Sequence, residues 1–277
     1  MNAPIRPALR WHGGKWLLAP WIISHFPVHR CYVEPYGGAM SVLLRKKRSY
    51  AEVYNDLDIE AVNLFRVLRS GRAMELKEKL HLTPFAREEF RESYEPSDDP
   101  VEGARRFVTR SFMGFGSNGH NPDRKTGFRA NSRRSGTTPA QDWRNYAETL
   151  PLLIERLKGV VVENRDALEV MAQHDAPETL HYVDPPYLPE TRSGLMHSPK
   201  AYFHEMSKEE HIEMLDFIRT LKGMVIVSGY QSVLYDRELS DFTRVEKKTN
   251  ADGASARMEI LWISPAARAR PAGMGDL

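Results

Sequence analysis

Short runs of β-branched and aromatic residues recur at residues 31–34, 51–54, 160–163, 181–183 and 224–228, each followed by a turn and a stretch with helical spacing of apolar positions. This alternation predicts an α/β fold with parallel strands joined by crossover helices. The helix ahead of the fifth strand has a well-marked start. Ser207 and Glu210 fit a capping box, and Ile212, Leu215, Ile218 and Leu221 fall near one face, a stripe that belongs to the core. Residues 243–249 and 258–263 then form two β-rich runs separated by a region with Asn-Ala-Asp-Gly, which predicts an antiparallel hairpin at the sheet edge. Between residues 76 and 150 the strand-helix rhythm stops. Mostly helical segments flank a Gly-, Asn-, Ser- and Arg-rich loop, residues 114–136, so the stretch is expected to be an inserted domain. The main domain would comprise residues 1–75 and 151–264, with a frayed tail at 265–277.

Composition narrows the class without fixing it. With 277 residues, 41% hydrophobic and 27% charged, the chain resembles an ordinary globular protein that can bury a sizeable core. No run approaches the roughly 18 to 20 apolar residues of a membrane span, and residues 1–10 lack a signal-peptide core, which predicts a cytoplasmic protein. A single cysteine, Cys31, excludes an internal disulfide framework and a cysteine-clustered zinc site, and is expected to act as a small buried residue. The net charge of +2 is unevenly spread. Residues 75–100 hold four basic and eight acidic residues, whereas residues 101–150 hold nine basic and four acidic, so the basic loop becomes a candidate contact surface. A second basic run, Arg45-Lys46-Lys47-Arg48, follows the first helix and is expected to be solvated surface.

Acidic residues punctuate the strand ends. Glu34, Asp56, Asp166 and Asp184 each fall at or just past the carboxyl end of a predicted strand, where open α/β sheets bind ligands. Singly, each is more often a turn former or helix cap. Together, acceptor-only carboxylates suit the hydroxyls and amines of a nucleoside-like cofactor. The first strand leads into Glu34-Pro35-Tyr36-Gly37-Gly38, whose glycines would let backbone approach a ligand. A spaced G-x-G-x-x-G is missing there, and Gly13-Gly14-Lys15 is not a P-loop, because Trp16 stands where Ser or Thr is needed. The most specific element is Asp184-Pro185-Pro186-Tyr187 at the end of the fourth strand. Two prolines donate no amide hydrogens, so the turn presents carbonyls, a carboxylate and an aromatic face, a set suited to a planar base carrying an amine.

In these pieces and their order the chain resembles the Dam-type (D12 class) N6-adenine DNA methyltransferases from Arg10 to about Ser264. The matching elements are Trp11-His-Gly-Gly-Lys15, Glu34-Pro35-Tyr36-Gly37-Gly38, Tyr54-Asn55-Asp56, Glu163-Asn-Arg-Asp166 and Asp184-Pro185-Pro186-Tyr187. The resemblance implies a Rossmann-like methyltransferase sheet with S-adenosylmethionine as cofactor. Trp11 and Lys15 would line its methionine side, Gly37 and Gly38 would underlie it, Asp56 would hold the ribose and Asp166 would meet the adenine ring. Glu34, Pro35, Tyr36, Asn55 and Asp184 complete the expected pocket. The insertion would be the target-recognition domain, and the partner double-stranded DNA, bound by a monomer or weak dimer.

The chemistry agrees. The exocyclic amine of adenine is a poor nucleophile, and hydrogen bonds to Asp184 and a proline-loop carbonyl would direct its lone pair toward an electrophilic methyl group. No nucleophilic cysteine and no metal is needed. The base must leave the duplex stack, and Tyr187 would stack on it. Arg124, Lys125, Arg129, Asn131, Arg133 and Arg134 combine phosphate-binding and base-reading side chains, with phosphate contact the expected role. An RNA adenine methyltransferase, a glutamine or cytosine-N4 methyltransferase and a catalytically silent nucleic-acid-binding relative are the competing readings. Asp as the first motif residue favours adenine, and intact Gly37, Asp56 and Asp184 argue against silence.

Overall fold

The computed structural model describes residues 4–117, 125–131, 136–192, 202–250 and 256–269. Seven strands form one sheet: β1 (Cys31–Glu34), β2 (Ala51–Asn55), β3 (Val160–Glu163), β4 (Thr179–Val183), β5 (Met224–Tyr230), β6 (Thr243–Asn250) and β7 (Ala256–Ile263). Their order is β3-β2-β1-β4-β5-β7-β6. β1 pairs in parallel with β2 and β4, and β4 with β5, whereas β7 runs antiparallel to both β5 and β6. The five strand runs and the edge hairpin read from the sequence are all present, with β4 starting at Thr179 rather than His181. β4 is buried along its whole length and β5 all but its last residue, so neither has a solvent-facing side.

The chain divides into two compact units. One comprises residues 18–37, 46–57 and 163–277. Its core gathers Val183, Leu215, Ile218, Val225, Val227, Ile260 and Trp262. The helix Lys208–Ile218 packs there, its capping box formed by Ser207 and Glu210 as the sequence indicates. The buried stripe is rotated from the expected one: His211, Met214, Leu215 and Ile218 are inside, while Ile212 is only partly covered. Leu221 lies past the helix end, in a turn closed by Leu221 N–H donating to the Ile218 carbonyl.

This unit also corrects the reading of residues 45–48 as solvated surface. Lys46 is buried, its Nζ 2.6 Å from Glu52 Oε1, with both side chains 3% exposed and the ammonium 4.6 Å from the centre of the Tyr32 ring. A charge removed from water needs such a partner, and Ser49 Oγ and the Lys47 carbonyl also accept from the ammonium. Lys47 and Arg48 remain exposed. The start of the expected tail, Pro265–Arg268, is helical because Ser264 caps it through the Ala267 amide. Cys31 is half-buried, and burial raises its thiol pKa.

The other unit comprises residues 1–17, 38–45 and 58–162. The expected insertion, residues 76–150, lies within it, together with flanking segments that complete its core. The helix Ile59–Leu68, capped by Asp58, is tied to the helix Pro100–Met113 by Arg110 and Glu60 at 2.5 Å and by Asn63 donating to the Pro100 carbonyl at 2.8 Å. Tyr146 donates to the Ala8 carbonyl and Trp143 to the Thr83 carbonyl, so the residues before the sheet are built into the helical unit. Among the described residues no helix is long and apolar enough to cross a membrane.

Candidate active site

β1 lies between β2 and β4, so the chain leaves it to one side for β2 and returns on the other as β4. Such a switch point opens a crevice beyond the carboxyl ends of the strands. Glu34 closes β1, Asp56 follows the last residue of β2, and Asp184 follows the last residue of β4. Asp166 stands three residues past β3. The four carboxylates expected at strand ends are therefore all at that edge, in differing environments. Glu34 is buried and accepts from the Tyr32 hydroxyl at 2.9 Å. Asp166 is exposed and caps the helix Ala167–Gln173, its Oδ1 accepting from the Leu168 and Glu169 amides. Asp56 is half-buried, and its carbonyl accepts from Asn164 at 2.7 Å.

Asn55 holds these ends in register. Its amide nitrogen donates to the carbonyls of Pro35 and Arg165, both at 2.9 Å, and its Oδ1 accepts from the Arg165 amide at 2.9 Å. Both amide protons are engaged, so this side chain braces the loops around the pocket rather than facing into it. Gly37 N–H donates to the Asn55 carbonyl at 2.8 Å. A Cβ on Gly37 would stand 2.2 Å from Tyr54 Cε2, and one on Gly38, whose φ is +47°, would stand 2.6 Å from Trp11 Nε1. The glycines expected to admit a ligand are therefore required first by two protein rings. Tyr36 packs against the core, and burial, with Asp166, Glu210 and Glu213 nearby, raises its hydroxyl pKa. Lys15 is buried with Nζ on the Gly13 carbonyl at 2.9 Å, and Trp11 meets Phe107 edge to face.

The Asp184-Pro185-Pro186-Tyr187 turn is the most tightly held part of this edge. Asp184 Oδ1 accepts from Ser228 Oγ at 2.6 Å, and Ser228 Oγ lies 3.1 Å from the Tyr182 hydroxyl. Pro185 is buried and Pro186 half-buried. Tyr187 is buried, its hydroxyl 2.5 Å from Glu259 Oε1 on β7 and its ring edge-on to Tyr230 at 4.6 Å. Burial, with Asp184 and Glu259 close by, pushes the Tyr187 hydroxyl far above its ordinary range, so it stays a donor. Arg192 donates to the Tyr187 carbonyl through Nε at 2.7 Å and also through an Nη, while pairing with Glu205 at 2.6 Å. Ser228, Glu259, Arg192 and Arg165 were not singled out from the sequence. A serine inside the apolar run of β5 and a glutamate inside β7 are the signals that could have found two of them.

A carboxylate, a double-proline turn and an aromatic at a switch-point edge can hold a planar amine-bearing base. The family model for D12 class N6 adenine-specific DNA methyltransferases matches residues 11–252. The chain belongs to this family. It is an adenine-specific DNA methyltransferase, similar to the DNA adenine methylase of Escherichia coli K12, with 23% identity over 266 residues, 91% of this chain and 92% of the relative. The Salmonella typhi DNA adenine methylase is 23% identical over 283 residues, 96% of this chain and 98% of its own. The DNA adenine methylase of Serratia marcescens is 33% identical over 101 residues, 33% of this chain and 37% of that protein.

Of the methyltransferase's six expected DNA-contacting residues, Arg124, Arg133 and Arg134 lie outside the described residues. Lys125, Arg129 and Asn131 flank a short antiparallel bridge between Gly114 and Phe128. Phe128 anchors it against Phe85 and Phe90, with the Arg87 guanidinium over its ring. Lys125 lies over the Tyr94 ring, and Asn131 is exposed. Arg129 is only 12% exposed and stands 4.0 Å from Asp142, which also pairs with Arg6 at 2.7 Å. Its charge is directed into the unit, which separates it from the exposed Lys125 and Asn131.

Proposed function

We propose that the chain transfers a methyl group from S-adenosylmethionine to the exocyclic N6 of an adenine flipped out of double-stranded DNA. The observation that carries this reading is Asp184, a half-buried carboxylate fixed by Ser228 at the end of β4 and followed by two prolines that offer carbonyls but no amide donors. An amine with two hydrogens to give and a lone pair to direct suits that arrangement. Asp184 accepts one hydrogen and a proline-turn carbonyl the other, which orients the amine and stabilises the charge that develops on it. Tyr187 flanks the base, its plane fixed by Glu259 and Tyr230.

The acceptor set at the strand ends fits the cofactor's ribose hydroxyls and amines. Asp56 takes the ribose, Asp166 and Tyr36 the adenine end, and Glu34, Pro35 and Gly37 form the floor that Asn55 braces. When bound, S-adenosylmethionine supplies the electrophilic methyl group. Lys125 and Asn131, with Arg124, Arg133 and Arg134, contact DNA.

The test is incubation with duplex DNA and S-adenosylmethionine, followed by mass spectrometry of the released nucleosides. N6-methyldeoxyadenosine is expected, with Asp184→Ala folded but slower by about 100-fold or more. Undiminished turnover by that variant, or product methylated at another atom, overturns the reading.

A further inference from the structure

The register between β4 and β5 pairs Val183 with Val227, which brings the next residues, Asp184 and Ser228, side by side at the ends of the two strands. Tyr182, two residues before Asp184 on the same face, reaches the same serine. Each of these hydrogen bonds has a fixed direction. The Asp184 carboxylate can only accept, so the single Ser228 proton is committed to it at 2.6 Å. The 3.1 Å contact must then run from the Tyr182 hydroxyl to the serine oxygen. Burial, with Asp184 the first of its acidic neighbours, raises the Tyr182 hydroxyl pKa well above its ordinary range, so that proton is kept. Tyr182 and Ser228 are both fully buried. Their chain of two donors is therefore built into the sheet and shielded from exchange with water.

We propose that Ser228 is a positioning residue for methyl transfer, holding the Asp184 carboxylate in the one rotation that aims its other oxygen at the substrate amine, with Tyr182 fixing the serine in turn. The proposal rests on the reading of Asp184 as the acceptor of that amine. A carboxylate turns freely about its Cβ–Cγ bond in solvent, and an acceptor that must meet a hydrogen in the transition state loses effect when it is displaced by as little as about 1 Å. Two strands in fixed register supply a rigid mount for this contact. Ser228 touches neither substrate nor cofactor in this role, so its loss should appear in the chemical step and not in binding.

The experiment compares Ser228→Ala, Ser228→Thr, Tyr182→Phe and Asp184→Ala in single-turnover methyl transfer to duplex DNA. Cofactor and DNA titrations and thermal unfolding accompany each. Ser228→Ala is expected to slow the chemical step by about 10- to 100-fold with cofactor and DNA affinities within twofold of the parent. Ser228→Thr, which keeps the hydroxyl, should recover most of the rate, and Tyr182→Phe should lose less than Ser228→Ala. A Ser228→Ala rate within twofold of the parent, with Asp184→Ala inactive, overturns the positioning role and leaves the Asp184 reading standing. Equal losses in folded Ser228→Ala and Ser228→Thr, or a loss confined to KM, also overturn it. Undiminished turnover by Asp184→Ala removes the reading beneath it.

Discussion

The Tyr187 hydroxyl donates to Glu259 Oε1 at 2.5 Å, joining the last residue of the proline turn to a strand 72 positions later. Tyr230 closes against the same ring, and Arg257 Nη1 donates to the Tyr230 hydroxyl at 2.9 Å. The orientation of the Tyr187 ring is thus set from the antiparallel side of the sheet. Tyr187→Phe keeps the ring but removes a donor from a carboxylate that is only 3% exposed. It should cost about 1 to 3 kcal/mol of stability and leave methyl transfer measurable. Tyr187→Ala should abolish transfer. Denaturant unfolding and a turnover assay separate the two effects.

Gly37, whose φ is not positive, is constrained by the Tyr54 ring. Gly37→Ala places a methyl 2.2 Å from Tyr54 Cε2, so either β2 or the loop must move. Overpacking of this kind costs about 1 to 3 kcal/mol, and it displaces the loop that Asn55 braces. Calorimetry should find S-adenosylmethionine binding weakened at least tenfold. Adding Tyr54→Ala, which makes room, should restore part of it.

Two interior histidines should make the sheet unit sensitive to acid. Burial lowers the pKa of His181 and of His211 to about 4, so both rings are neutral in the folded chain. Once unfolded, each takes up a proton below about pH 6.5. Stability contributed by neutral burial is therefore complete above that value and is lost as pH falls from about 6.5 to about 4, by up to about 3 kcal/mol per ring. Urea unfolding at pH 7.5 and pH 4.5 measures the difference. Replacing His211 by Gln should flatten the slope.

Reversing the charge of Arg133 and Arg134 together should weaken DNA binding and reduce the dependence of log K on log salt by about one for each phosphate that is no longer neutralised. Affinity for the cofactor should not change. DNA titrations at several salt concentrations, with a cofactor titration alongside, decide the matter. An unchanged slope would move DNA contact away from this loop. Arg129→Ala should instead lower stability, because that guanidinium faces Asp142.

The strands, the edge hairpin and the acidic strand ends were legible because each is written in contiguous residues whose spacing has one structural meaning. What escaped was pairing across distance. Lys46 reads as one of four surface cations until Glu52 is placed beside it on the first residues of β2. Asn55 reads as a ligand residue, yet its amide is engaged by Pro35 and Arg165, the latter 110 positions away. Gly37 and Gly38 were visible as glycines, but their reasons, Tyr54 and Trp11, depend on how loops fold back. Ser228 and Glu259 interrupt the apolar runs of β5 and β7, but a lone polar residue in a buried strand names no partner.

The central strand pair also orders the making of the protein. β1 finds β2 within about 20 residues, but its other neighbour, β4, begins at Thr179. A ribosome emits the chain from one end, so Glu34 and Asp56 emerge long before Asp184 exists, and Glu259, which steadies Tyr187, comes later still. The carboxylates at the ends of β1 and β2 thus enter the molecule well before the proline turn that follows β4. A nascent chain halted before β7 carries Asp184 without the strand whose Glu259 holds the Tyr187 ring.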